Sequence, residues 1–174
     1  LTKEEAEHRL LIHAGLMVEG EEQNFTRRLR PYQGLDDGDF AELIQCVMIL
    51  HPDIAGVSTV DRKLCAALWW ICEHSRILAL RPQSALRRNK LITERDLARL
   101  ERWVEVFEYF SIKMLMGLDL VDCAYQFLVY IGECSSEDLR RYEFALPLAE
   151  QAQRSDDSDI AEAANQAYLL LRGP

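Results

Sequence analysis

The chain has 174 residues, a formal net charge of −9, 49% hydrophobic and 28% charged residues, which is the composition of one globular domain large enough for a substantial core. Only 8 Gly and 5 Pro leave little turn material for an all-β fold. The negative balance opposes nonspecific attraction to nucleic acid or anionic membrane, and no uncharged apolar run is long enough to span a bilayer.

The first residue is Leu1 rather than Met, so a processed, trimmed or excised piece is expected; no basic-then-apolar signal segment opens it. Residues 2–19 predict the first helix. Thr2 and Glu5 have capping-box spacing, and Leu10, Ile12, Leu16 and Met17 supply apolar surface. Glu5-Ala-Glu-His8 matches the Glu-x-x-His fragment of di-iron bundles, but those sites need the motif twice. No second copy occurs, and no metal role is assigned to His8.

Residues 21–38 are the most loop-like, with Arg27, Arg28, Arg30, Pro31 and Gly34. The acidic turn Asp36-Asp37-Gly38-Asp39 lacks the closing glutamate of a calcium-binding EF-hand loop. It reads instead as the start of a helix over 39–50, which Pro52 and Gly56 end. Residues 58–80 predict a long helix, capped by Ser58 with Asp61, whose seam is Val60, Leu64, Leu68, Ile71, Ser75 and Leu78. Trp69 and Trp70 must point to different sides, so at least one lies near an interface or a second layer. Cys65, Cys72 and His74 have no compact zinc-ligand spacing.

Residues 76–95 form a proline-containing connection rich in base: Arg76, Arg81, Arg87, Arg88, Lys90 and Arg95. In an acidic chain this is a candidate site for an anion or an acidic partner. It lacks the interleaved aromatics of a single-strand binder and any groove-reading motif, so a nucleic-acid role is disfavoured. Pairing of these bases with acidic neighbours is the simpler reading.

Residues 93–118 predict the central helix. Leu97, Leu100, Val104, Phe107, Ser111, Met114 and Leu118 recur at spacings of three and four, the period of a helix and not of a strand. Thr93 is the expected N-cap and Gly117 the expected terminator. Ile112, Leu115 and Met116 nearly close the apolar stripe into a ring, which predicts a C-terminal half buried on all sides. Glu94, Glu101, Glu105 and Glu108 share one narrow sector. Two acidic pairs, Glu105-Val-Phe-Glu108 and Asp119-Leu-Val-Asp122, have the general form used by all-α nucleotide pyrophosphatases to hold magnesium. Glu101, Glu105, Glu108, Asp119 and Asp122 are therefore the candidate catalytic set of an alternative reading. The preferred reading makes the glutamates a solvated face paired with Arg95, Arg102 and Lys113, and makes Asp119 and Asp122 the cap and first turn of the next helix.

Residues 119–132 predict a short, largely buried helix, with Leu120, Cys123, Ala124, Phe127, Leu128 and Ile131 inward. Ser135 or Ser136 caps a helix towards residue 154, which Pro147 must kink or divide. Residues 155–159, Ser-Asp-Asp-Ser-Asp, make a turn and cap, and 160–171 form the last helix. The five cysteines, Cys46, Cys65, Cys72, Cys123 and Cys134, are an odd set without close pairs. They predict buried free thiols in a reducing, intracellular and cytoplasmic setting.

The stretch FALPLAEQAQRSDDSDIAEAANQAYLLLRG resembles the closing helices of an armadillo or HEAT repeat. Leu146, Pro147, Leu148, Leu169 and Leu170 carry the resemblance, with Asp156, Asp157, Ala163, Ala164 and Ala167. It covers about the last thirty residues, and no repeat of about 40 residues recurs upstream. A terminal repeat on a divergent array and a lone helical hairpin both remain open.

The expected fold is all-α, one domain over residues 1–174, of about seven helices, as an orthogonal bundle or a short irregular solenoid. The resemblance implies a non-catalytic protein-interaction or scaffold domain with a protein partner and no cofactor or metal. The alternatives are a metal-dependent phosphohydrolase using the carboxylate set, and anion or nucleic-acid contact through residues 76–95.

Overall fold

The structure, a computed structural model, describes residues 1–17, 24–135 and 137–173. It is an all-α single domain; among the described residues the one extended pairing is an isolated bridge between Leu29 and Tyr32. The helices are α1 (Lys3–His13), α2 (Asp37–Ala55), α3 (Arg62–Ser75), α4 (Ala85–Arg88), α5 (Glu94–Leu115), α6 (Leu120–Glu133), α7 (Leu146–Ala152) and α8 (Ser158–Arg172). A π-helical turn, Arg76–Leu80, extends α3, and a 3-10 segment, Leu139–Ala145, leads into α7.

Local chemistry sets most boundaries. Thr2 and Glu5 close a reciprocal capping box on α1. The Thr93 hydroxyl accepts the Asp96 N–H at 3.0 Å to start α5, and the Asp119 carboxylate accepts the Asp122 N–H at 3.0 Å to start α6. These bonds satisfy N–H groups that the helix itself leaves without a partner. Pro147 divides the segment after Ser135 as expected, standing in the first turn of α7 where its missing N–H costs nothing.

Several boundaries differ from the expectation. α1 stops at His13, because Gly15 adopts a left-handed conformation (φ +70°) just beyond it. α2 runs through Pro52 to Ala55. Proline removes a single ladder bond near the end, and the last turn is held by buried Ile54 and by His51 Nε2, which donates to the Leu118 carbonyl at 2.9 Å. α3 begins after Asp61 rather than at Ser58, since Asp61 accepts from Lys63 N–H and Leu64 N–H. The connection after α3 is structured, with the π-helical turn and the single turn of α4. The expected last residues of the first helix (18–19), the start of the loop (21–23), the Ser136 cap and Pro174 lie outside the described residues.

Side-chain pairs show how the helices lie. Lys3 meets Asp53 at 2.7 Å and His13 meets Glu42 at 2.9 Å, so α1 and α2 are antiparallel. Asp37 bonds Arg99 at 2.9 Å at one end, and His51 bonds Leu118 at the other, so α2 and α5 run in parallel. Arg102 bonds Glu133, and Tyr109 packs on Tyr125 at 6.4 Å, so α6 returns along α5. α5 therefore lies between α2, α3 and α6 and buries Leu97, Leu100, Trp103, Val104, Val106, Phe107, Phe110, Ser111 and Met114.

The centre of the bundle is aromatic. Trp103 is 1% exposed. Its ring stacks on Phe40 at 4.9 Å and 3°, and its Nε1 donates to the Tyr130 hydroxyl at 2.9 Å. That hydroxyl lies 3.3 Å from the hydroxyl of Tyr142. Burial pushes both phenols well above their ordinary range, which keeps them neutral. The Arg99 guanidinium sits 4.7 Å from the centre of the Trp103 ring, and the ring face supports the charge where its buried Nε has no hydrogen-bond partner among the described residues.

The cysteines are free. Burial pushes the thiols of Cys46, Cys72 and Cys123 up to about 12, which keeps them protonated and unreactive at neutral pH.

Candidate functional site

The acidic pairs do not converge. Glu101 and Glu105 are exposed on the outer face of α5, with Glu105 3.6 Å from Arg102. Glu108 bonds Arg76 at 2.5 Å, and this contact raises the guanidinium further above its usual range. Asp119 and Asp122 face another way. Their depression is shared with Gln151, Arg154, Asp156 and Asp157 of the α7–α8 end, and Asp122 also borders Tyr109 and Lys113. Among the described residues, no group of three or more His, Cys, Asp or Glu is placed to hold a metal ion.

The basic segment is also divided. Arg76 is committed to Glu108, Arg81 to Glu73, and Arg87 donates to the Leu80 carbonyl at 3.1 Å. Arg88, Lys90 and Arg95 are exposed on and beyond α4. Three of the six bases thus tie the π-helical turn to α5, to α3 and to α4.

A feature that sequence reasoning placed in the core lies on the surface. Ile112, Leu115 and Met116 are 50%, 42% and 67% exposed, and Trp69 of α3 is 61% exposed. The expected all-round burial of the C-terminal half of α5 is therefore incorrect. α3 and α5 run antiparallel, with Arg76 beside Glu108 and Cys65 beside Leu115, and among the described residues no third helix covers the seam between them. Cys65, Leu68, Trp69 and Cys72 from α3, with Ser111, Ile112 and Leu115 from α5, line an apolar cleft there, and Glu108 stands at its edge. Its volume, about 140 Å³, is below the roughly 300–1,000 Å³ of small-molecule sites. It is the size of a receptacle for one or two side chains.

The signal for this surface was present in the sequence. Glu101, Glu105, Glu108, Ile112 and Leu115 are spaced by four, three, four and three, so the acidic sector and the apolar residues are one continuous stripe on one face. The solvated glutamates already fixed that face as outward. Of the two adjacent tryptophans, Trp69 is exposed and Trp70 is partly buried against the core.

Compared with models of known protein families, with curated protein sequences and with solved structures, the chain matches none. No helix among the described residues is long and apolar enough to cross a membrane.

Proposed function

We propose that the chain is a non-catalytic protein-interaction or scaffold domain. The observation that carries this reading is the exposed apolar strip of Trp69, Ile112, Leu115 and Met116 around the α3–α5 cleft. Single exposed apolar residues are ordinary, but large ones contiguous on two neighbouring helices and bordered by charge mark a contact surface. The helical-repeat resemblance supports the same class. α7 and α8 pack against each other and bury Ala149, Ala152, Ala163, Ala164 and Ala167. Free cysteines, three of them buried, fit a reducing, intracellular and cytoplasmic setting.

Two measurements test the proposal. With wild type and Ile112→Glu as baits in an extract of the native host, bound protein is expected on the first and lost from the second. Both baits should melt within about 0.5 kcal/mol of each other, because the substituted side chain is at the surface. Equal retention on both would remove the strip from the argument. The second measurement is calorimetric titration with magnesium and manganese. Stoichiometric tight binding that disappears in Glu105→Gln and Glu108→Gln would replace the interaction domain with the phosphohydrolase.

A further inference from the structure

The α3–α5 face has two halves of different chemistry. Over the C-terminal half of α5 it is apolar, with Ile112 and Leu115 across the cleft from Trp69 and the exposed Met116 at the end of the helix. Over the N-terminal half it is acidic. Glu101 is exposed, the Glu105 side chain is 62% exposed, and the half-exposed Glu108 is held by Arg76. From Glu101 to Met116 the stripe spans fifteen residues of rise, about 22 Å at 1.5 Å per residue. The face is thus about four helical turns long.

We infer that this face receives one amphipathic helix of a partner protein, with apolar residues over Trp69, Ile112 and Leu115 and a Lys/Arg-rich end over Glu101 and Glu105. The inference rests on the interaction reading and names its partner. A seam between two antiparallel helices offers a groove whose ridges match the i, i+3, i+4, i+7 stripe of a third helix. The cleft beside Trp69 admits one or two side chains, which fits a single anchor residue and no larger ligand. The charge pattern selects the partner's sequence. A carboxylate pair at one end of an apolar strip attracts a basic terminus and repels an acidic one, which sets both orientation and discrimination. The net charge of −9 adds long-range attraction for a cationic segment.

The test is a selection from a displayed library of natural-protein segments about 24 residues long. The bait is the wild-type chain, with Ile112→Glu as the counter-bait. Segments that depend on Ile112 are expected to show apolar residues at helical spacing with Lys or Arg clustered at one end. For a synthetic peptide of the best such segment, Ile112→Glu and, separately, Trp69→Glu should each weaken binding at least tenfold. Glu101→Lys with Glu105→Lys should weaken it several-fold, and that loss should shrink at high salt. Selected segments without helical spacing or without basic clustering overturn the inference, as does binding indifferent to the double lysine substitution. Concentration-dependent dimerisation of the chain, abolished by Ile112→Glu, also overturns it, because a second copy would then be the occupant. If selection yields no such helix while host-extract capture still depends on Ile112, the basic-helix partner fails and the interaction domain stands. If both fail, both are wrong.

Discussion

Phe107→Ala is expected to destabilise the domain by about 3–5 kcal/mol, the transfer energy of the ring plus the cavity left behind. Phe107 is 1% exposed in the middle of α5, a helix packed against α2, α3 and α6, so little is expected to collapse into the space. A loss of that size removes a large fraction of a typical domain's stability. Glu101→Ala, on the outward face, is expected to change stability by no more than about 0.5 kcal/mol. Denaturant melts of the two variants measure the contrast. Similar losses would mean that the acidic stripe is buried and paired, and both the exposed strip and its proposed partner would lose their footing.

Trp103→Ala carries an expected loss of similar size, about 3–5 kcal/mol, through a different combination of effects. The indole fills the centre of the bundle, stacks on Phe40 and donates to Tyr130. Its removal empties space and leaves the phenols of Tyr130 and Tyr142 with one partner fewer. Trp103→Phe separates these contributions. It keeps most of the ring volume and loses the Nε1 donor, so it should cost about 1–3 kcal/mol from the lost hydrogen bond to Tyr130 and the smaller ring. A Trp103→Phe variant as unstable as Trp103→Ala would show that the hydrogen bond, and not packing, dominates.

The parts of the fold that were legible in the sequence are those decided locally. Thr93, Asp119 and the Ser155–Asp159 turn announce helix starts because an N-cap needs only a side-chain oxygen and the next few N–H groups. The limit of local reasoning shows at Pro52. Its intrinsic cost is real, but Ile54 and His51 supply contacts to distant parts of the chain that outweigh it, and no local pattern records them. The same division explains the candidate site. Assigning Asp119 to a cap followed from position, whereas Ile112, Leu115 and Met116 were misplaced because apolarity alone does not distinguish a buried residue from an exposed one. Their shared spacing with Glu101, Glu105 and Glu108 contained the answer.

The parallel course of α2 and α5 has a consequence for the order in which the domain assembles. Asp37 and Arg99 are 62 residues apart in the chain, whereas Trp103 and Tyr130 are 27 apart. Loop closure is more costly for the longer separation, and contacts distant in sequence slow folding. The α5–α6 hairpin is therefore expected to form first and α2 to dock onto it later, with Phe40 arriving late against Trp103. Phe40→Leu should accordingly speed unfolding while leaving refolding nearly unchanged; a chevron in which the refolding limb falls instead would place α2 inside the nucleus. A domain assembled in this order loses α2 first under stress. The first motion towards the unfolded state would then uncover the Phe40 side of Trp103, while α5 and its exposed stripe are still in place.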